Sequence, residues 1–390
     1  MITTRIKRGN WFFYLLLFVC IITPQDRLNI KIPLLLIALL ADLLLWHGSL
    51  KNRKALFVAL GMGILFPVLS IVASLAIGEA NIRDIISQAY PSVIMVFLVM
   101  NQRRIHDYKR IFYFACRILV VLILVICLLD LLHIQSVNSG VFQAITQNLG
   151  IGGIIKLNDS LFGYKVFLYA SPLIIFLLDD DFQNHRIGWV LASCVALFLT
   201  GTRANMLAML LYVFYGLYFQ KGNQLFSNRN VKIALRVLVA VLLCVFAGRA
   251  ISRIVGFFSN ETSVASNDTK TLQVKYILEQ LGDIKTLFLG RGLSSPVLDP
   301  ARGIYTTSVE MMFFYYLYEI GIILFAVFFF FMVYPVFSKI ETHYKIAYIG
   351  FLLSALTNPI LTTSTSYMAF LLVYTMIAKR STMLEIVDYV

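Results

Sequence analysis

Long apolar runs, separated by short polar or basic stretches, recur from one end of the chain to the other. A helix needs roughly 17 to 25 apolar residues to cross a hydrocarbon layer of about 30 Å, fewer where aromatic or snorkelling side chains complete its ends. On that rule the pattern predicts twelve spans: Asn10–Thr23, Ile30–His47, Ala55–Ile77, Ile85–Met100, Ile111–His133, Phe162–Leu178, Ile187–Thr200, Arg203–Phe219, Val231–Ala247, Ser308–Phe337, Tyr344–Pro359 and Thr363–Ala378. The expected fold is all-α, a single integral membrane domain over residues 1–390. One polar interruption stands out: Gly248–Thr307, sixty residues between the ninth and tenth spans. Within it Leu272, Tyr276, Leu278, Leu281 and Ile284 have the spacing of a short amphipathic helix. A loop of this length is usually functional or disordered, and the helical pattern favours function.

Composition agrees with the pattern. Charged residues make up 14% of the 390, against about 25% in a soluble domain, and the mean hydropathy is +0.82. The net charge of +13 would suggest nucleic acid in a soluble protein, but most of it is a topology signal. With the N-terminus inside, eighteen Lys and Arg fall on the inner side, among them Arg53, Lys54, Lys109, Arg186, Lys339 and Lys345, against six on short outer loops and helix ends. Both termini are therefore expected in the cytoplasm and the large loop outside. Arg5, Lys7 and Arg8 ahead of an apolar run imitate a secretory signal, but no small-residue cleavage site follows, so the run reads as a first span. The five cysteines all sit in apolar runs without metal or CxxC spacing and read as packing residues.

Candidate chemistry lies on the outer side. Thr200-Gly201-Thr202-Arg203-Ala204-Asn205 joins two spans with almost no loop. Gly201 permits a tight turn, and Arg203 opens the next helix, where unpaired backbone N–H groups and a guanidinium together suit phosphate oxygens. The plainer alternative is an arginine snorkelling to lipid headgroups. Lys165 and Tyr164 follow Asn158-Asp159-Ser160 at the outer end of the sixth span, and Lys270 and Arg291 add cations on the same side. Glu310, at the head of the tenth span, is placed to take a proton or hold a sugar hydroxyl. Glu319 lies nine residues on, about 13 Å deeper along a continuous helix, where packing against a partner is the simplest role. Asp130 and His133, three apart, are spaced to pair with each other. Leu289-Gly290-Arg291-Gly292-Leu293 reads as a loop turn, since no strand and helix flank it.

Other chemistries are set aside. Asp179-Asp180-Asp181 resembles a metal-holding acidic run, but its short inner loop has no domain to bind a nucleotide, so it reads as solvated. The histidines have no metalloprotease spacing and no Walker loop occurs.

The twelve-span plan with its outer loop, the Thr200-Gly201-Thr202-Arg203 turn, and the series Asp268-Thr269-Lys270, Leu289-Gly290-Arg291-Gly292, Ser308-Val309-Glu310 and Glu319-Ile320-Gly321-Ile322 together resemble the O-antigen and exopolysaccharide polymerase (Wzy) and O-antigen ligase superfamily of bacterial inner-membrane proteins. The resemblance implies a metal-independent glycosyltransferase, without cofactor, at the periplasmic face. Its donor and acceptor would be oligosaccharides on undecaprenyl diphosphate. A flippase and a chain-length regulator of the same pathway would be its partners besides the bilayer, with no role for nucleic acid. Arg203 would match the family's motif arginine, neutralising the diphosphate leaving group.

The ligase pattern has a His-Asn pair where this chain has Val309-Glu310, which favours a polymerase over a ligase that transfers glycan to lipid A core. Lys270 stands where an arginine is common, keeping the charge but losing the bidentate fork. The expected site thus comprises Arg203, Glu310 and Asp268 as catalytic groups, with Lys165, Lys270, Arg291, Tyr164, Asp159 and Tyr305 binding substrate. A transporter of lipid-linked sugars is the rival from another class. It would place charges along a central path rather than on one side.

Overall fold

The computed structural model describes residues 11–25, 29–44, 52–77, 80–100, 105–136, 140–156, 164–220, 233, 236–242, 244, 265–299, 303–307, 309, 311–356, 358 and 360–387. In chain order the elements are α1 (Trp11–Ile22), α2 (Lys31–Leu44), α3 (Arg53–Ile77), α4 (Ile82–Val99), α5 (Ile105–Leu131), α6 (Gly140–Asn148), β1 (Gly152–Lys156), β2 (Tyr164–Leu168), α7 (Ile174–Gln183), α8 (Ile187–Leu199), α9 (Arg203–Tyr218), α10 (Ala265–Gln280), α11 (Ile284–Leu289), β3 (Val297–Asp299), β4 (Ile304–Thr306), α12 (Met312–Phe337), α13 (Thr342–Leu356) and α14 (Ser364–Val387). Residues 236–242 are also helical.

The fold is mostly helical, and among the described residues four helices, α3, α4, Asp107–Leu131 of α5, and α12, are long and apolar enough to cross a membrane. Trp11–Ile22 and Ile187–Leu199 are apolar but shorter. Two local irregularities follow from the sequence. Pro91 cannot donate to the helical ladder, and α4 runs as a 3₁₀ helix over Tyr90–Val96. Gly61 opens a π turn in α3, where a side chain would collide with the Phe331 ring.

Helix α14 is the centre of the bundle. From Ser364 to Ala378 every residue is buried, as expected of a helix apolar on all faces and wrapped by others. Its polar start is tied in: Lys31 Nζ donates to Ser364 Oγ (3.0 Å) and to the Pro24 carbonyl (2.8 Å), and Thr365 Oγ1 donates to the Cys20 carbonyl (2.9 Å). Helices α1, α4 and α12 pack against α14, while α13 bridges α7 and α9. By contrast α2 and α3 turn Leu36, Leu40, Leu44, Phe57, Val68 and Val72 outward, the lipid-facing pattern expected where apolar solvent replaces a core.

Two features depart from the all-α expectation. Two antiparallel hairpins form, β1–β2 and β3–β4. Moreover, the predicted sixth span is not a helix from its start. Tyr164, Val166 and Leu168 are buried while Lys165 is exposed, so the segment follows a period of two and pairs as a strand. Ser171 and Pro172 then start a single 3₁₀ turn, and the helix α7 begins only at Ile174.

Candidate functional site

The hairpin is anchored to the end of α5. Ile155 pairs with Lys165 and Lys156 with Tyr164. Lys156 Nζ reaches Asp130 Oδ2 at 2.7 Å, and the Tyr164 hydroxyl donates to the same oxygen at 2.5 Å. The ammonium also lies 5.1 Å from the centre of the Tyr164 ring. The hydrogen bond to Asp130 raises the Lys156 pKa above its ordinary value. Asp130 therefore braces the hairpin, and the His133 N–H donates to the Asp130 carbonyl at 3.0 Å.

The tight turn between α8 and α9 packs on this hairpin. Gly201 has φ +64°, and a Cβ there would lie 2.8 Å from the Tyr164 carbonyl and 3.1 Å from Lys165 Cα. Glycine is needed twice over, for the left-handed backbone and for the close approach. Below it, buried Asn205 donates to Thr200 Oγ1 (3.1 Å) and to Ser171 Oγ (3.0 Å), and Thr200 Oγ1 donates to the Leu197 carbonyl (2.7 Å). One amide thus joins α9, the turn and the 3₁₀ segment ahead of α7. Thr202 is the extended residue before α9, and Arg203 is its first residue. Lys165 and Arg203 are both exposed, on adjoining backbone at the head of a helix. The turn thus sets the Lys165 strand beside the start of α9, the positive end of a helix dipole.

A second cluster forms where α12 breaks. Gly321 has φ +67° and ψ 169° inside that helix, which frees carbonyls of the preceding turn. The loop after α11 fills the break: Arg291 N–H donates to the Tyr318 carbonyl (2.9 Å) and Gly292 N–H to the Glu319 carbonyl (2.8 Å). A Cβ at Gly321 would collide with the Phe288 carbonyl and with the backbone nitrogen of Gly290, so the two chains meet main chain to main chain. The buried Glu319 carboxylate accepts from Ser294 N–H (2.8 Å) and Gln88 Nε2 (2.5 Å), and Ser294 Oγ donates to Gln88 Oε1 (2.8 Å). Ser74 Oγ accepts from Leu293 N–H at 2.8 Å. One expectation changes: Gly290-Arg291-Gly292 is a docked plug rather than a simple turn. Glu319 packs against partners as expected, two residues ahead of the break at Gly321.

The candidate residues fall out as follows. Lys165 packs against the Gly201 turn two residues ahead of Arg203. Tyr164 was expected on the substrate side but is buried with its hydroxyl on Asp130, because its strand position points inward. Arg291 is half-buried in the plug, and Tyr305 on β4 is 68% exposed. Asp268 and Lys270 lie on α10, but their side chains fall outside the described residues, as do Asp159 and Glu310 altogether. The sequence did not single out Lys156, Gln88 or Ser294. Their partners lie 26, 231 and 25 residues away, so spacing carries no signal for them. Asn205 stood inside the quoted motif, and its signal was a buried amide directly after a turn.

The acidic run also differs from expectation. Asp179 and Asp181 are buried in α7. Asp181 Oδ1 pairs with Arg117 (2.9 Å) and Arg186 (3.1 Å), and Asp179 Oδ1 with His343 Nδ1 (2.7 Å) and the Tyr212 hydroxyl. The helix continues past the expected membrane edge and buries these acids against α5, α9 and α13. Among the described residues no group of three or more His, Cys, Asp or Glu side chains is placed to hold a metal ion.

Compared with protein-family models and with curated proteins, the chain matches none.

Proposed function

We propose that the chain is a polymerase of O-antigen or a related surface polysaccharide. In this reading it is a twelve-span inner-membrane protein with both termini in the cytoplasm and residues 248–307 in the periplasm. The observation that supports the reading is the contact of Gly201 with Tyr164 and Lys165, which sets the Lys165 strand beside the turn that leads to Arg203 and α9; this reading puts that turn on the outer side.

The acceptor hydroxyl of a fresh lipid-linked repeat unit attacks the anomeric carbon of the donor glycan. The new glycosidic C–O bond forms as the bond to undecaprenyl diphosphate breaks, and the hydroxyl proton passes to a carboxylate. Arg203 and Lys165 stabilise the charge developing on the departing diphosphate, where preorganised cations lower a barrier most. Glu310 is the first choice for the base, with Asp268 and Asp159 behind it. Lys270 and Arg291 add positive charge around the lipid diphosphate, and Tyr305, exposed on its hairpin, offers a ring face to a sugar. The reaction needs no metal or cofactor in this scheme.

Arg203→Lys keeps the charge and loses the fork, and is expected to reduce polymer formation on the order of tenfold or more. Full-length surface polysaccharide in that variant would overturn the diphosphate role. A surface lipopolysaccharide gel of a deletion strain tests the class of activity. Loss of a polymerase leaves single repeat units on the core, loss of a ligase leaves bare core with polymer on its carrier lipid, and loss of a transporter leaves neither outside.

A transporter of lipid-linked sugars is the second reading. The broken helix α12 with buried Glu319 favours it, because discontinuous helices and intramembrane acids recur at substrate and ion paths.

A further inference from the structure

A cavity of about 260 Å³ opens between α3, α12 and α14, away from both clusters described above. Its wall is aromatic, formed chiefly by Phe57, Phe331, Tyr334 and Tyr374, and Arg53 and Lys54 line it at the start of α3. Two contacts hold this wall. The Phe57 and Phe331 rings lie 5.6 Å apart, and Tyr334 stacks on Tyr374 at 6.2 Å with an interplanar angle of 5°. The Tyr374 hydroxyl donates to the Phe331 carbonyl at 2.6 Å, so the tyrosine turns ring rather than hydroxyl toward the space. Both cations are exposed, and no acidic residue lines the cavity among the described residues.

The geometry points to a site for an anionic glycerophospholipid, with the phosphate held by Arg53 and Lys54 and the glycerol end of an acyl chain in the cavity. The chemistry is that of an amphiphile: an apolar slot between spans capped by two cations at the membrane surface, the arrangement by which basic interhelical pockets select acidic headgroups. The volume is below that of a pocket enclosing a whole drug-sized ligand, about 300–1,000 Å³. The remainder of the chain would therefore lie along Phe57 and Phe330, which are 59% and 52% exposed. By the loop charges, Arg53 and Lys54 face the cytoplasmic leaflet, so the site is separate from the outer chemistry and does not depend on the polymerase reading.

The test is native mass spectrometry of the purified full chain, titrated with phosphatidylglycerol and with phosphatidylcholine of the same acyl chains. The wild type is expected to retain phosphatidylglycerol in preference by roughly thirtyfold, the size two interfacial cations supply. Arg53→Gln with Lys54→Gln should bring the two lipids to parity, while Lys339→Gln with Lys345→Gln, the same charge change elsewhere on the inner side, should keep the preference. Ala378→Phe, which fills the cavity, should lower retention of both lipids, and gives a reading even if the charge variant fails to fold. Millimolar inorganic phosphate should not displace the lipid. Equal retention of the two lipids by the wild type, equal loss of preference in both charge variants, unchanged retention in Ala378→Phe, or displacement by free phosphate would each overturn the assignment. Cations that served only to orient the chain would give the first of these results.

Discussion

Gly201 shows how one residue can set the candidate site. Its backbone is left-handed, and β2 passes close enough that a methyl group would lie 2.8 Å from the Tyr164 carbonyl. Gly201→Ala therefore meets both the cost of the left-handed region, about 1–2 kcal/mol, and a main-chain clash. A loss of about 2 kcal/mol is expected in thermal unfolding, with Lys165 and Arg203 moved apart. If the variant matches the wild type in both unfolding and polymer yield, the contact does not position the site. The turn was legible in the sequence because glycine between two apolar runs has few other uses. Its partner was not, because Tyr164 and Lys165 lie 37 and 36 residues earlier and looked helical within a long apolar segment.

At the scale of elements, the break in α12 and the plug that fills it depend on each other. The carbonyls of Tyr318 and Glu319 are satisfied by Arg291 and Gly292, and backbone groups left unsatisfied in such a segment would cost several kcal/mol. Gly321→Ala drives a methyl group into the backbone of Phe288 and Gly290. The expected result is a loss of about 2 kcal/mol and faster protease cleavage between residues 290 and 296. Unchanged cleavage would show that the plug does not need the break. Helix α11, which delivers this plug, is capped by Asp283, whose carboxylate accepts from Thr286 Oγ1 (2.7 Å) and Thr286 N–H (3.1 Å). The side-chain hydrogen bond first, and the backbone one after it, hold the Asp283 pKa below the usual carboxylate value. A depressed carboxylate pKa gives a contribution present above the unfolded value of about 3.9 and lost as pH falls through the folded one. Hydrogen exchange at the Thr286 amide is therefore expected to quicken below about pH 4 relative to neighbouring exposed amides, and Asp283→Asn should remove that pH dependence.

For the whole molecule, burial separates α14 and α7, enclosed by other helices, from α2 and α3, which leave apolar faces exposed. Helix α7 carries the buried acids, and α13 closes over them through His343. Removing that imidazole leaves Asp179 without one of its partners in a site where it is 1% exposed. Breaking a buried pair from one side costs about 3–5 kcal/mol. His343→Ala is accordingly expected to destabilise by about 3 kcal/mol, and Asp179→Asn in that background to restore part of the loss. Strictly additive effects in the double-variant cycle would show that the two side chains are not coupled.

The sequence alone determined that the chain is helical and apolar enough for a membrane, because composition and run length depend on neighbouring residues. It also located the turn at Gly201 and the helix in the long polar segment, since both are local signals. Tertiary structure decided the rest. Whether Tyr164–Leu168 is strand or helix depends on β1 lying beside it. Which partners Glu319 packs against depends on Gly290 meeting Gly321. Whether Asp179 is solvated depends on His343, 164 residues later. In each case the deciding contact joins segments far apart in the chain, and periodicity reads only what is near.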